Sequence, residues 1–158
     1  MKTLTVMSGL LAMIVLLTVA QVEAAPPPLE AVRALAENVL GAGTVKSLSI
    51  VEDGTKVLMR WESATYKSTN KLEVTRELLF AEAGLATGSI LGRLQALAAV
   101  RFSILVKNQV VANGENSRGK GVQLAFVPAL GGGTYTPPPS KPKEGNPQKG
   151  GGSDIAKD

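Results

Sequence analysis

The sequence predicts an α+β domain in which one mainly antiparallel sheet carries helices on one of its faces. A long helical stripe occupies residues 70–97, and segments that alternate between apolar and polar residues lie before and after it. The predicted order is helix, strand, strand, helix, strand, strand, strand. The alternating segments are rich in Val, Ile and Phe, which favour strands, so an all-helical fold is disfavoured.

Residues 1–24 have the pattern of a secretory signal peptide. Lys2 supplies the positive start, and residues 3–22 carry no charge. Val22 and Ala24 occupy the −3 and −1 positions for cleavage after Ala24. We therefore expect an exported protein, either periplasmic or secreted. The alternative is an uncleaved membrane anchor, because an apolar segment of about 20 residues spans a hydrocarbon core of about 30 Å.

The compact domain is predicted to occupy residues 29–128, after a stiff proline lead-in at residues 25–28. Pro is favoured at the first position of a helix and Gly just past its end, so a surface helix of about three turns fits before Gly41. Its apolar face consists of Leu29, Val32, Leu35, Val39 and Leu40.

Residues 44–63 predict a β-hairpin around Asp53 and Gly54, because a type I′ turn needs positive φ at both central positions. The register that follows places five apolar side chains on one face: Leu48, Ile50, Val57, Met59 and Trp61. The opposite face receives Lys56, Leu58, Arg60 and Glu62. Trp61 is interpreted as a core anchor, with ligand stacking as the alternative.

The long helical stretch is predicted to begin at Asn70, a good N-cap residue with Glu73 three positions later. Its apolar face consists of Leu72, Leu79, Ala83, Ala86, Ile90, Leu94 and Leu97. On roughly the opposite side, every fourth residue is a glycine: Gly84, Gly88 and Gly92. Three interpretations of these glycines stay open: a break between two helices, a surface against which the first helix packs, or a homodimer face.

The second half of the chain is predicted to form short strands and then a tail. The strands are 100–107, 110–112 and 122–126, the last of which ends before Pro128. Loop signals stand at Asn113-Gly114 and at residues 117–121. Residues 129–158 are rich in Pro, Gly and Lys, and we predict a disordered tail because they offer little apolar surface to bury.

The composition excludes several chemistries. The chain has no Cys and no His, which removes disulfides, thiol nucleophiles, histidine-based triads and nearly all zinc, copper and haem sites. Carboxylates such as Glu52, Glu62, Glu77 and Glu82 form no recognisable catalytic pair. We therefore predict no catalytic residue, no cofactor and no metal, and a protein that is not an enzyme.

Six residues on the outward side of the predicted sheet form the candidate binding surface: Lys56, Leu58, Arg60, Arg101, Leu105 and Lys107. Four cations beside two leucines suit an anionic, partly apolar partner, such as an envelope polymer, a lipid head group or an acidic protein. The alternative is an ordinary solvated sheet face. Nucleic acid is disfavoured, because aromatic residues make up only 4% of the chain and are not interleaved with the cations.

These observations predict an exported, non-catalytic binding or accessory module of the cell envelope or the extracellular space. The net charge of +4 agrees with contact to anionic material. The alternative is a membrane-tethered envelope assembly protein, in which the N-terminal segment is retained as an anchor and the membrane becomes a partner.

Overall fold

The computed structural model describes residues 25–138 and confirms an α+β fold with a single sheet. The helices are α1 (Leu29–Leu40) and α2 (Leu72–Arg93), and a single 3-10 turn, η1, spans Pro128–Leu130. The strands are β1 (Val45–Val51), β2 (Lys56–Glu62), β3 (Ala99–Val106), β4 (Gln109–Ser117), β5 (Gly121–Phe126) and β6 (Gly133–Tyr135). The predicted signal peptide, its anchor alternative and residues 139–158 of the predicted tail lie outside the described residues.

The six strands stand in the sheet in the same order as in the chain. All neighbours are antiparallel except β2 and β3, which run parallel. Parallel neighbours need a long crossover, because the chain must return to the end of the sheet from which it started. Helix α2 is that crossover, and it therefore lies across one face of the sheet.

The β1–β2 hairpin has the predicted register. Ile50 pairs with Val57, and Leu48 pairs with Met59. The turn residues Asp53 and Gly54 have φ values of 53° and 88°, as a type I′ turn requires. The register could be predicted from the sequence because the turn and the strand pairing that it sets are close together in the chain.

Helix α2 differs from its prediction at both ends. The first helical residue is Leu72, so the N-cap position is Lys71 and not Asn70 as predicted. Within residues 25–138, no side chain forms a capping hydrogen bond at this end. The helix continues unbroken to Arg93, so the helix-break interpretation is wrong. Its end is fixed from a distance: Arg118 donates to the carbonyl oxygens of residues 91, 94 and 97 at 2.6, 3.1 and 2.8 Å. The carbonyl groups in the last turn of a helix lack helical partners, and Leu91 belongs to that turn. Leu94 and Leu97 follow the helix, and the Leu94 oxygen also accepts from the backbone N–H of Leu97.

The loop predicted at Asn113-Gly114 is wrong, because both residues lie inside β4. The β3–β4 turn lies at Lys107 and Asn108, which have φ values of 50° and 63°, one residue from the tight turn that the sequence predicts at Asn108-Gln109. Gly114 is required by packing: a Cβ atom there would lie 2.6 Å from Cζ of the Phe102 ring. Tertiary contact, and not turn formation, explains this glycine.

The predicted start of the tail at residue 129 is also wrong. The chain continues through η1 and then pairs Tyr135 with Leu124 of β5. Three consecutive glycines, residues 131–133, have positive φ and turn the chain back onto the sheet. A strand of only three residues after such a turn carries no alternating pattern that sequence reasoning could detect.

The core lies between the two helices and the inner face of the sheet. Trp61 and Leu79 are fully buried, and Phe102 is 2% exposed. The rings of Trp61 and Phe102 lie 5.1 Å apart between centroids, which is within the range of favourable aromatic pairs. Trp61 is therefore a core residue, as predicted, and no helix within residues 25–138 covers the second face of the sheet.

Candidate functional site

The face of the sheet that the helices leave uncovered, here called the outer face, holds most of the predicted binding residues. In the paired register, Leu58 stands beside Arg101 and Arg60 beside Ser103, while Ser47 flanks Arg60 from β1. A hollow of about 340 Å³ lies among these strands. Its outward lining residues are Ser47, Ser49, Leu58, Arg60, Arg101 and Ser103. The structure thus brings two guanidinium groups and three hydroxyls together on one surface.

The positive charge of the outer face is smaller than the sequence predicts. Lys56 lies 3.0 Å from Glu52 and 3.9 Å from Glu115, and only 15% of its side chain is exposed. Arg101 also pairs with Glu115, at 3.1 Å. Glu115 was missed because β4 was expected to end before it. Arg60 is exposed and forms no ion pair within residues 25–138.

Two further residues of the predicted surface are not part of an exposed binding face. Leu105 is only 4% exposed, because it lies between Glu62 of β2 and Val110 of β4. Lys107 lies in the β3–β4 turn, where its backbone N–H donates to the carboxylate of Glu62. The apolar part of the predicted surface is therefore reduced to Leu58, which is half-buried but still lines the hollow.

The polar surface continues across the rest of the sheet. Ser103 on β3 is hydrogen-bonded to Asn113 on β4 at 2.7 Å. A second, smaller hollow of about 250 Å³ follows on β4–β6, and its lining includes Asn113, Glu115, Gln123 and Thr134. Most side chains on the outer face from β1 to β6 are polar, with Leu58 and Ala125 among the apolar exceptions, and its guanidinium groups lie at the β2–β3 pair.

The three regularly spaced glycines, Gly84, Gly88 and Gly92, do not form a packing surface for α1. Gly84 faces Val122 of β5, 3.9 Å from where its Cβ would be. Gly88 and Gly92 are exposed, and nothing in residues 25–138 comes within 4 Å of a Cβ at either position. The homodimer-face interpretation stays a prediction, and the exposed Leu85 lies on the same side of α2.

Glu82 lies in a buried hydrogen-bond network that sequence reasoning missed. Its side chain is 4% exposed. One carboxylate oxygen accepts from Trp61 Nε1 at 2.6 Å, and the other accepts from Ser63 Oγ at 2.9 Å and from the backbone N–H of Thr65 at 3.0 Å. The hydroxyl of Thr65 donates to the same oxygen. The network ties the β2–α2 loop to the helix. All of its donors belong to the fold, so Glu82 is a structural carboxylate.

A pocket of about 560 Å³, here called the Arg76 pocket, opens between α2 and β6. It is lined by Glu73, Arg76, Glu77, Thr134, Tyr135, Thr136 and Pro138. The guanidinium carbon of Arg76 lies 5.0 Å from the Phe126 ring centroid and 5.5 Å from that of Tyr135. Sequence reasoning missed this pocket because one of its walls, residues 134–138, was assigned to the tail.

No protein-family model matches the chain, and no curated protein or solved structure shows significant similarity to it. Within residues 25–138, no helix has the length and apolar character needed to cross a bilayer. The same residues contain no group of three or more potential metal ligands. The geometry of the sites therefore carries the functional argument.

Proposed function

We propose that this protein is an exported, non-catalytic binding or accessory module that holds an anionic envelope polymer on its outer face. The observation that carries the proposal is the hollow between β1 and β3, in which Arg60 and Arg101 lie among serine hydroxyls. The N-terminal signal pattern supports export.

The hollow has the donors that an oxyanion requires. A guanidinium group presents several N–H donors in one plane, which fits carboxylate, sulfate and phosphate groups. Arg60 is free to pair with a ligand, whereas Arg101 shares its charge with Glu115. The hydroxyls of Ser47, Ser49 and Ser103 add neutral donors on both sides of the cations.

Among the anionic partners, the polar character of the face favours a polymer over a bilayer. A peripheral protein binds a membrane surface more strongly when exposed apolar side chains accompany its cations. Leu105 is buried, and Lys56 is paired with two glutamates. A hydrated chain of carboxylate, sulfate or phosphate groups needs no apolar contact and can lie across the polar strands.

The proposal is tested by removing the two guanidinium groups. We expect the double variant Arg60→Gln/Arg101→Gln to bind an isolated anionic envelope polymer at least about tenfold more weakly, since each charged hydrogen bond contributes about 1.5–3 kcal/mol. The matched control is Lys67→Gln/Arg93→Gln, which removes the same charge from exposed positions outside the outer face. Binding is measured by co-sedimentation at several salt concentrations.

Equal weakening in both double variants would show that only net charge matters and would contradict the proposed site. Binding to anionic phospholipid vesicles but not to the polymer would replace the polymer with a membrane surface. N-terminal sequencing of the exported protein separates the module from its tethered alternative: a chain that begins after Ala24 supports the module, and an intact Met1 supports the anchor.

A further inference from the structure

The Arg76 pocket contains a cation that the fold holds in place but does not pair. Arg76 takes part in no ion pair within residues 25–138, and its Nε atom is buried there without a hydrogen-bond partner. An unsatisfied buried donor is costly, and native structures contain few of them. The Nε atom is enclosed, so a ligand in the pocket would meet the guanidinium group through its Nη atoms, for which residues 25–138 supply no ion-pair partner.

Two aromatic rings and a glycine surround the guanidinium group of Arg76. The rings of Phe126 and Tyr135 contact the guanidinium group, and Phe80 lies against Tyr135 with ring centroids 5.2 Å apart. Gly131 approaches from the η1–β6 connection, where a Cβ atom would lie 3.3 Å from Arg76 Nη1. The Phe126 and Tyr135 rings lie at 82° to each other, so at most one of them can lie parallel to the guanidinium plane. Guanidinium N–H groups form strong charged hydrogen bonds to carboxylates.

The opposite charge is present at the rim of the same pocket. Glu73 and Glu77 are exposed and lie one helical turn apart on α2. Neither is within ion-pair distance of Arg76. A simple anion would be repelled by these two carboxylates, whereas a ligand that also carries an ammonium group would be attracted by them.

The remaining wall of the pocket is a strand edge. Among residues 25–138, strand β6 is the last strand of the sheet and pairs with β5 on one side only. Its residues Thr134 and Tyr135, followed by Thr136, line the pocket. The free backbone groups of an edge strand can bond to an extended peptide, which adds to the sheet as a further strand.

We infer that the Arg76 pocket is a second binding site, which takes a short peptide with a free C-terminal carboxylate and an ammonium group. The carboxylate lies against Arg76, the ammonium group lies near Glu73 and Glu77, and the peptide backbone pairs with β6. The pocket volume of about 560 Å³ falls within the range of small-ligand sites. This site does not depend on the outer face.

The test uses two tripeptides, trialanine and lysyl-dialanine, titrated into the intact protein and followed by NMR chemical shifts. We expect both to perturb resonances of β6 and of the first turns of α2. Amidation of the C-terminus, or acetylation of all amino groups, should weaken binding by about tenfold, because each removes one charged contact. These comparisons use the unaltered protein, so a folding defect cannot imitate the result.

Variants then assign the contacts. In the Arg76→Gln variant, the free and the amidated tripeptide should bind with equal affinity. In the Arg60→Gln variant, which alters the outer face, the free tripeptide should still bind more tightly than the amidated one. The inference is overturned if neither tripeptide perturbs β6 or α2 at about 10 mM, a concentration that detects even weak ligands. It is also overturned if free and amidated peptides bind equally, or if only outer-face resonances move.

Discussion

Helix α2 carries two charged side chains toward the sheet without giving either an ion-pair partner among residues 25–138. Glu82 is 4% exposed, and donors from Trp61, Ser63 and Thr65 satisfy both of its oxygens. Arg76 is half-buried, lies against two aromatic rings, and has a buried Nε without a partner. The fold completes the hydrogen bonds of one charge and leaves those of the other incomplete.

This difference separates a charge that holds the protein together from a charge that is available for binding. A buried charge whose hydrogen bonds all come from the fold is costly to remove, because its donors are then left unsatisfied. A charge without partners contributes little to stability, and its removal should be tolerated. The contrast can be measured on one helix with one spectroscopic probe, since Trp61 is the single tryptophan of the chain.

The largest effect is expected from Glu82→Leu. The substitution leaves the indole N–H of Trp61 and the donors of Ser63 and Thr65 without an acceptor, so we expect a loss of about 3 kcal/mol or more in the free energy of unfolding. Urea denaturation followed by Trp61 fluorescence measures this loss. The control is Glu77→Leu, at an exposed position of the same helix, and equal losses in the two variants would remove the assigned role of the network.

An intermediate loss of stability is expected from Arg118→Gln. Arg118 extends the comparison to a charged side chain whose hydrogen-bond partners are backbone carbonyl groups. Arg118 donates to one carbonyl oxygen in the last turn of α2 and to two in the segment that follows it. We expect a loss of about 1–2 kcal/mol, because these carbonyls lose charged donors at a helix C-terminus. Arg93→Gln removes a charge from the last turn without these bonds and should cost clearly less in the same denaturation experiment.

The smallest effect is expected from Arg76→Gln. Contact with two rings is lost, at about 0.5–1 kcal/mol, but a buried unsatisfied donor is removed as well. The free energy of unfolding should therefore change by less than about 1 kcal/mol in either direction. A loss as large as that of Glu82→Leu would show that Arg76 is structural and would break the comparison.

The sequence predicts the parts of the fold that depend on neighbours in the chain. The hairpin register and the burial of Trp61 follow from one turn and a period of two. Gly114 was misread because its reason, the ring of Phe102, lies on another strand. The same limit explains β6, which is too short to show a pattern and exists through its pairing with β5.

The predicted binding surface was only partly right, for a similar reason. Alternation places Lys56, Arg60 and Arg101 on one face, and the structure agrees. Whether each charge is free depends on Glu115, which stands beside Arg101 only once β4 pairs with β3. The Arg76 pocket depends on residues 126 and 135, far from residue 76 in the chain, and no local pattern connects them.

The parallel contact between β2 and β3 has a consequence for how the molecule assembles. Every other strand pair joins consecutive segments through a short connection, so α1–β1–β2 and β3–β6 can each gain structure early from nearby contacts. Within the sheet that the structure describes, the two halves are joined only by the β2–β3 pairing, which can form only once α2 has crossed the face of the sheet. The slowest step of folding should therefore be the joining of two preformed halves, and a chain cut in the loop before α2 should still yield fragments that find each other.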